Sequence, residues 1–156
     1  KGLSGGYLPL SAVLATGEIY RAFYDDDLTR GFLHSHSYTG NPLACRAALA
    51  TLDLFEARDV LAENRALAEY VDALAEPIRA LPQVRQFRRR GMIWAFDVAG
   101  APADFSQRLF AAALERKLLL RPLGATVYWM PPYMIGREEA AHMVEATLGA
   151  LRQVMD

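Results

Sequence analysis

A chain of 156 residues with a hydrophobic fraction of 53% has the size of one common domain and enough apolar mass to bury a core. A formal net charge of -1 leaves no global basic field for nucleic acid and no acidic tail, and the single Cys45 excludes an intramolecular disulfide and fits a reducing compartment. No run of about 18 apolar residues occurs and the first residues lack the layout of a signal peptide, so a soluble cytoplasmic protein without a membrane or nucleic-acid partner is expected.

The chain opens on Lys1, followed by Gly2, Gly5 and Gly6 in an open loop. Leu8 to Thr16 is apolar and rich in small residues and reads as a strand. Gly17 to Tyr24 reads as a short helix, and Asp25 to Gly31 as a polar loop. After the polar stretch Phe32 to Gly40, Asn41 is placed as an N-cap with Pro42 at the first helical position, opening an Ala-rich helix to about Glu56. A second helix is expected over about Val60 to Leu81, where Leu67, Val71, Leu74, Ile78 and Leu81 form one stripe that Pro77 kinks.

Beyond Pro82 the pattern changes. Val84 to Arg90 and Met92 to Val98 read as strands, with Gly91 either a tight turn or a bulge in one bent strand. Asp104 ends a loop as the cap of a third helix, Phe105 to Arg116. Leu118 to Arg121 and Val127 to Met130 are expected as short strands around Pro122-Leu123-Gly124. A final helix spans Arg137 to about Met155, with Met143, Val144, Thr147, Leu148, Leu151 and Met155 on one face. This order describes a small antiparallel sheet with helices on one face, an α+β layer. The segment before Arg58 reads as the tail of a different domain, which places a boundary between residues 57 and 58.

Few residues invite chemistry. A lysine on a glycine-rich loop suits an amine that must swing and form a Schiff base with a carbonyl; the bland reading is a solvated surface charge. The loop from Phe32 to Pro42 crowds hydroxyls and imidazoles before a helix N-terminus, which favours a phosphate or carboxylate, or is simply a capped polar turn. His34-x-His36 lacks a second pair of ligands, so no metal site is expected. Arg121, after Leu118-Leu119-Leu120, is either a clamp for a carboxylate or an edge arginine reaching solvent. Tyr128, Trp129 and Tyr133 line a channel or belong to a core, and Arg85, Arg88, Arg89 and Arg90 read as a solvated basic patch.

Three of these pieces carry a resemblance. Lys1-x-Leu3-Ser4-Gly5-Gly6-Tyr7-x-Pro9-Leu10-Ser11-Ala12 resembles the cofactor-lysine segment of class III aminotransferases, α/β enzymes of fold type I that use pyridoxal 5′-phosphate. His34 to Cys45, ending Thr39-Gly40-Asn41-Pro42-Leu43-Ala44-Cys45, resembles the loop and helix that follow in that family. Leu120-Arg121-Pro122-Leu123-Gly124-x-x-Val127-Tyr128-x-Met130-Pro131-Pro132-Tyr133 resembles the C-terminal motif of the members that convert 8-amino-7-oxononanoate to 7,8-diaminononanoate in biotin biosynthesis, with S-adenosylmethionine as amino donor.

The resemblance implies the end of a large cofactor domain, residues 1–57, followed by a small C-terminal α+β domain, residues 58–156. It implies a homodimer with the site shared across the interface, small-molecule substrates, and an upstream part of the same polypeptide that completes the cofactor site. Lys1 would be both the attachment point of the cofactor and the acid and base of the reaction. Ser37, with His36 beside it, would contact the phosphate of the partner's cofactor. Ser35 would lie near the substrate, Arg121 would bind the carboxylate of the keto substrate, and Tyr128 would lie near the same substrate. Ser35-His36-Ser37 stands where the family often reads Gly-Pro-Thr or Gly-x-Thr, which keeps a hydroxyl at Ser37 and adds a side chain at Ser35. Two alternatives stay open: another class III enzyme of ω-amino-acid or 4-aminobutyrate type, and a non-enzymatic α+β binding domain in which Lys1 is incidental.

Overall fold

The computed structural model describes residues 1–155 and divides into two compact units, Lys1–Asp59 and Val60–Asp156. The first unit holds two helices, α1 (Gly17–Phe23) and α2 (Pro42–Ala57), and two single turns of 3-10 helix, Gly2–Ser4 and Leu28–Arg30. Asn41 caps α2 as its sequence position implies: Oδ1 accepts from the N–H of Leu43 at 2.9 Å and of Ala44 at 3.3 Å, and Pro42 sits in the first turn. Ala44 and Ala48 are the buried residues of this helix, which packs against the Gly2–Ser4 turn.

One expectation fails here. Leu8 to Thr16 forms no strand; Val13 is 93% and Leu14 96% exposed. A strand needs a neighbouring edge for its backbone N–H and C=O groups, and the described residues of this unit contain no other strand. Apolar exposure runs on through Ile19, Tyr20, Phe23, Tyr24 and Phe32.

The second unit is the α+β layer. Its helical stripe begins as α3 (Val60–Leu74) and resumes as the single turn α4 (Glu76–Arg79). The break falls just before Pro77, which lacks an N–H and crowds the preceding turn. Val71, Ala75 and Ile78 stay buried on both sides of it, so the stripe survives the interruption.

Strands β1 (Val84–Arg90) and β2 (Ile93–Val98) pair antiparallel, and Arg90 opposite Ile93 leaves Gly91-Met92 as a two-residue hairpin turn. Gly91 has φ 56°, which settles it as turn rather than bulge. The bulge lies between Arg85 and Arg88, where Gln86 takes φ 49°. Helix α5 (Phe105–Glu115) starts after Asp104, whose carbonyl accepts from Gln107 and Arg108 while its side chain makes no capping bond. Strand β3 (Thr126–Trp129) then adds antiparallel to β2, giving the order β1-β2-β3, and α6 (Arg137–Met155) closes the unit.

Leu118 to Arg121 does not form the expected strand; the segment leaves α5 irregularly, and only Leu123 bridges back to Thr126. Apolar content predicts burial there correctly only for Leu120, while Leu119 is 70% exposed. Burial of one side chain does not supply the backbone partners that a strand requires.

Alternation along the sheet positions everything else. Trp94, Phe96 and Val98 of β2 and Val127 and Trp129 of β3 point into one core with α3, α4, α5 and α6. Phe87 stacks on Phe96 at 5.6 Å between ring centroids, and Trp129 meets Phe96 edge-on at 6.0 Å. Trp94 Nε1 donates to Asp72 Oδ1 at 2.8 Å, and Arg89 Nε lies 2.7 Å from Asp72 Oδ2. The intervening residues, Ala95, Asp97, Thr126 and Tyr128, are half-buried on the opposite face. No helix among the described residues is long and apolar enough to cross a membrane.

Candidate active site

In the first unit Lys1 is exposed at the head of the Gly2–Ser4 turn. The loop closes on itself: Gly5 N–H donates to the Gly2 carbonyl at 3.0 Å and Gly6 N–H to the Lys1 carbonyl at 2.9 Å. Gly5 at φ 63° and Gly6 at φ 83° make this reversal. A Cβ on Gly5 would stand 3.3 Å from Thr51 Oγ1 of α2, so close approach to that helix also favours glycine. Ser4 is 2% exposed; its hydroxyl donates to the Leu8 carbonyl and accepts from the Leu8 N–H at 3.3 Å. The amine therefore stands in solvent on a loop whose base is pinned.

The serine loop runs into the N-terminus of α2. Thr39 Oγ1 accepts from the His36 N–H at 3.1 Å, Thr39 N–H donates to the His36 carbonyl at 3.0 Å, and Gly40 turns the chain at φ 71° into the Asn41 cap. Ser35, His36 and Ser37 are exposed. Among the described residues the Ser35 and Ser37 hydroxyls engage no hydrogen-bond partner. His36 and His34 meet edge to face at 5.5 Å, continuing a run of rings through Phe32 to Phe23. A cleft of about 200 Å³ lined by Leu8, Pro9, Leu10, Tyr38, Asn41, Leu43 and Ala44 brings the exit of the lysine loop beside the exit of the serine loop.

In the second unit Arg121 and Tyr128 share a cleft of about 480 Å³. Arg121 is exposed and has no ion pair or hydrogen bond among the described residues, and Tyr128 is half-buried. The walls are mostly apolar, from Leu118, Leu120, Met130, Ile135 and Met143, with Lys117, Glu139 and His142 adding polar groups. Tyr128 belongs to β3, whereas Arg121 lies on the irregular segment before it. The turn at Leu123–Thr126 joins them: Thr126 N–H donates to the Leu123 carbonyl at 3.0 Å and Leu123 N–H to the Thr126 carbonyl at 2.9 Å. An unpaired guanidinium at an apolar cleft can grip a carboxylate with two parallel hydrogen bonds while the rest of an acid lies on the walls.

Two residues absent from the sequence reading sit behind this pair. Thr126 Oγ1 donates to Asp97 Oδ1 at 2.7 Å, and Arg88 donates to Asp97 Oδ2 at 3.1 Å. The Thr126 hydroxyl, with help from Arg88, holds the Asp97 carboxyl below the usual carboxylate range against a smaller opposing effect of burial. The signal in the sequence was Asp97 itself, a carboxylate between Phe96 and Val98 in an otherwise apolar strand.

The model of the family Aminotransferase class-III matches residues 1–151. The chain belongs to the class III aminotransferases.

As a class III aminotransferase it has relatives along its whole length. It is 44% identical over 162 residues to an adenosylmethionine-8-amino-7-oxononanoate aminotransferase of Helicobacter pylori, a match covering 100% of this chain and 36% of the relative. The crystal structure of an adenosylmethionine-8-amino-7-oxononanoate aminotransferase from Methanocaldococcus jannaschii superposes with TM-score 0.90 at 31% identity, covering 99% of this chain and 37% of that one. An amine transaminase from an uncultivated Pseudomonas species, in its PLP-bound form, superposes with TM-score 0.85 at 28% identity over 99% of this chain and 37% of that one. The chain thus spans about a third of the length of the curated relatives it matches, 36% of one and 31% of another. It is a mixed α/β portion of the fold-type I architecture, with helices and a small antiparallel sheet.

The class III family uses pyridoxal 5′-phosphate, and the donor set of the first unit fits that group. A primary amine stands exposed on a pinned loop, and the neighbouring loop carries the Ser37 hydroxyl, without a hydrogen-bond partner among the described residues, for the phosphate of a second copy of the group.

Proposed function

We propose that this chain contributes the lysine, a phosphate-contacting loop and a carboxylate clamp to a homodimeric aminotransferase that converts 8-amino-7-oxononanoate to 7,8-diaminononanoate, with S-adenosylmethionine as donor. The observation that carries the reading is Arg121, without an ion pair among the described residues, sharing an apolar cleft with Tyr128. That combination suits an acceptor whose carboxylate ends a long hydrocarbon chain. Similarity to the Helicobacter pylori adenosylmethionine-8-amino-7-oxononanoate aminotransferase supports the same acceptor and donor.

Bound pyridoxal 5′-phosphate supplies the electron sink that amine transfer needs. The remaining work falls to the side chains. Lys1 Nζ would hold the cofactor until the incoming donor amine displaces it, and the freed amine would then take a proton from the donor carbon that carries the nitrogen and, in the second half of the cycle, deliver one to the acceptor carbon; a primary amine serves as both nucleophile and base. The four-carbon stem of Lys1 lets that amine swing while Ser4 and the Gly5–Gly2 and Gly6–Lys1 hydrogen bonds hold the loop's base. Ser37, with His36 beside it, donates its hydroxyl to the phosphate held by the partner subunit. Ser35 narrows the substrate side of the same loop. Arg121 orients the acceptor by its carboxylate, and Tyr128 flanks it.

The test compares acceptors on the full-length enzyme. Turnover of 8-amino-7-oxononanoate with S-adenosylmethionine, exceeding turnover of 4-aminobutyrate or a simple ω-amine, is expected. Activity confined to the ω-amines would replace this reading with the ω-aminotransferase one.

A further inference from the structure

Thr126 stands at a junction between the two groups assigned to the acceptor. Its backbone closes the turn with Leu123, which follows Arg121-Pro122 directly. Gly124 takes φ 59° inside that turn. Tyr128 lies two residues further along β3, so its side chain leaves the same face of the sheet as that of Thr126. The spacing between Arg121 and Tyr128 is therefore a property of this turn and of the seating of β3.

The strand is seated from both faces. On the core side Trp129 Nε1 donates to Thr147 Oγ1 at 3.0 Å, and Val127 is fully buried. On the open side a single polar chain crosses all three strands. Arg88 of β1 donates to Asp97 Oδ2 at 3.1 Å, and Thr126 of β3 donates to Asp97 Oδ1 at 2.7 Å. Asp97 and Thr126 are direct partners in the β2–β3 register, so the bond needs no backbone distortion. It fastens the end of β3 nearest the turn. A stable α+β layer with this aromatic core does not need a charged carboxylate there; a threonine–threonine or apolar pair would satisfy the sheet equally well.

We propose that Arg88, Asp97 and Thr126 form a positioning network that sets the separation of Arg121 and Tyr128, and so governs affinity for the carboxylate-bearing acceptor without touching it. The proposal rests on the reading that Arg121 holds the acceptor carboxylate. Groups that orient a binding residue matter because a displacement of about 1 Å at a reacting or gripping atom costs up to about a hundredfold.

Thr126→Val in the full-length enzyme keeps the β-branched shape and removes the hydroxyl, and Thr126→Ser keeps the hydroxyl. Thr126→Val should raise KM for 8-amino-7-oxononanoate roughly tenfold while KM for the amino donor and cofactor uptake stay near wild type. Thr126→Ser should restore the acceptor KM, and Asp97→Asn should fall between them. Equal changes in both KM values, or an unchanged acceptor KM in a folded Thr126→Val enzyme, overturn the network's role. If Thr126→Val does not fold, Arg88→Gln carries the same test from the far strand, with the same outcomes. Arg121→Ala separates the two levels. A raised acceptor KM in Arg121→Ala with none in Thr126→Val defeats the network alone; no change in Arg121→Ala defeats the acceptor reading and the network with it.

Discussion

Trp129 and Thr147 meet in the core of the second unit, where the indole N–H donates to the threonine hydroxyl at 3.0 Å and that hydroxyl donates onward to the Met143 carbonyl at 2.7 Å. Trp129 is 2% exposed and Thr147 0%. Strand β3 and helix α6 are thus joined by a fully satisfied polar link inside an apolar core. Replacing Thr147 with Val keeps the volume but leaves the indole N–H without a partner, which costs about 1–3 kcal/mol. Chemical unfolding of the full-length protein should show Thr147→Val destabilised by that amount and Thr147→Ser much less.

Lys117 takes φ 59° at the exit of α5. Its N–H donates to the Leu114 carbonyl and the Leu118 N–H to the Ala113 carbonyl, both at 2.9 Å, a pair of bonds that ends a helix through one left-handed residue. Glycine is the natural occupant of that residue. Lys117→Gly is expected to stabilise the protein by about 1 kcal/mol and Lys117→Val to destabilise it by more, as read from unfolding midpoints.

Arg116 lies across Gly149 of α6. A Cβ on that glycine would stand 2.7 Å from Arg116 Nε, while the guanidinium itself donates to the Ala112 carbonyl and to Gln153 Oε1. The glycine makes room for a polar clasp between α5 and α6 at the expense of helix propensity. Gly149→Ala alone should gain little, because Arg116 must move. In an Arg116→Ala background the same change should stabilise α6 by about 1 kcal/mol, so a double-mutant cycle should return a non-zero coupling between the two positions.

Asp97 gives the stability a pH dependence of known sign. Its carboxyl titrates below the ordinary value in the folded protein, first through the Thr126 hydroxyl and then through Arg88. The stabilisation is therefore complete above the unfolded value of about 3.9 and is lost as the pH falls through the folded one. Asp97→Asn removes that dependence. The gap in unfolding midpoint between wild type and Asp97→Asn should be constant near neutrality and shrink below about pH 4.

Lys1→Ala in the full-length enzyme should lower turnover by at least about a hundred- to ten-thousandfold, the range for loss of a general acid–base group. It should also abolish borohydride fixation of the cofactor. Ser37→Ala should weaken cofactor retention and leave Lys1 fixation intact, measured by dialysis followed by visible absorbance.

Local signals in the sequence carried a good part of the fold. Asn41-Pro42 marks the start of α2 because a side-chain acceptor and a missing N–H act within one helical turn. The break at Pro77 and the turn at Gly91 follow from backbone sterics of single residues. Leu8 to Thr16 and Leu118 to Arg121 misled because apolar composition reports burial or exposure to a partner, not the presence of an edge to pair with. The clamp was half legible. Arg121 was conspicuous as a charge after three leucines, whereas Thr126 carries no local sign that its hydroxyl meets Asp97, 29 residues earlier in the chain.

The sequence by itself determined the family, through a lysine loop, a serine loop and an arginine–tyrosine motif in one order, together with the helices whose caps and stripes lie within a few residues of one another. Only the tertiary structure decided that Leu8 to Thr16 and Leu118 to Arg121 are not strands, that Arg121 stands at an apolar cleft with Tyr128 without an ion pair among the described residues, and that Arg88, Asp97 and Thr126 join the three strands. The reason is physical. Helix caps and proline breaks are satisfied by neighbours along the chain, but a strand's hydrogen bonds and a cross-sheet ion pair are satisfied by residues far away in sequence, and which of those arrive is settled by packing of the whole core.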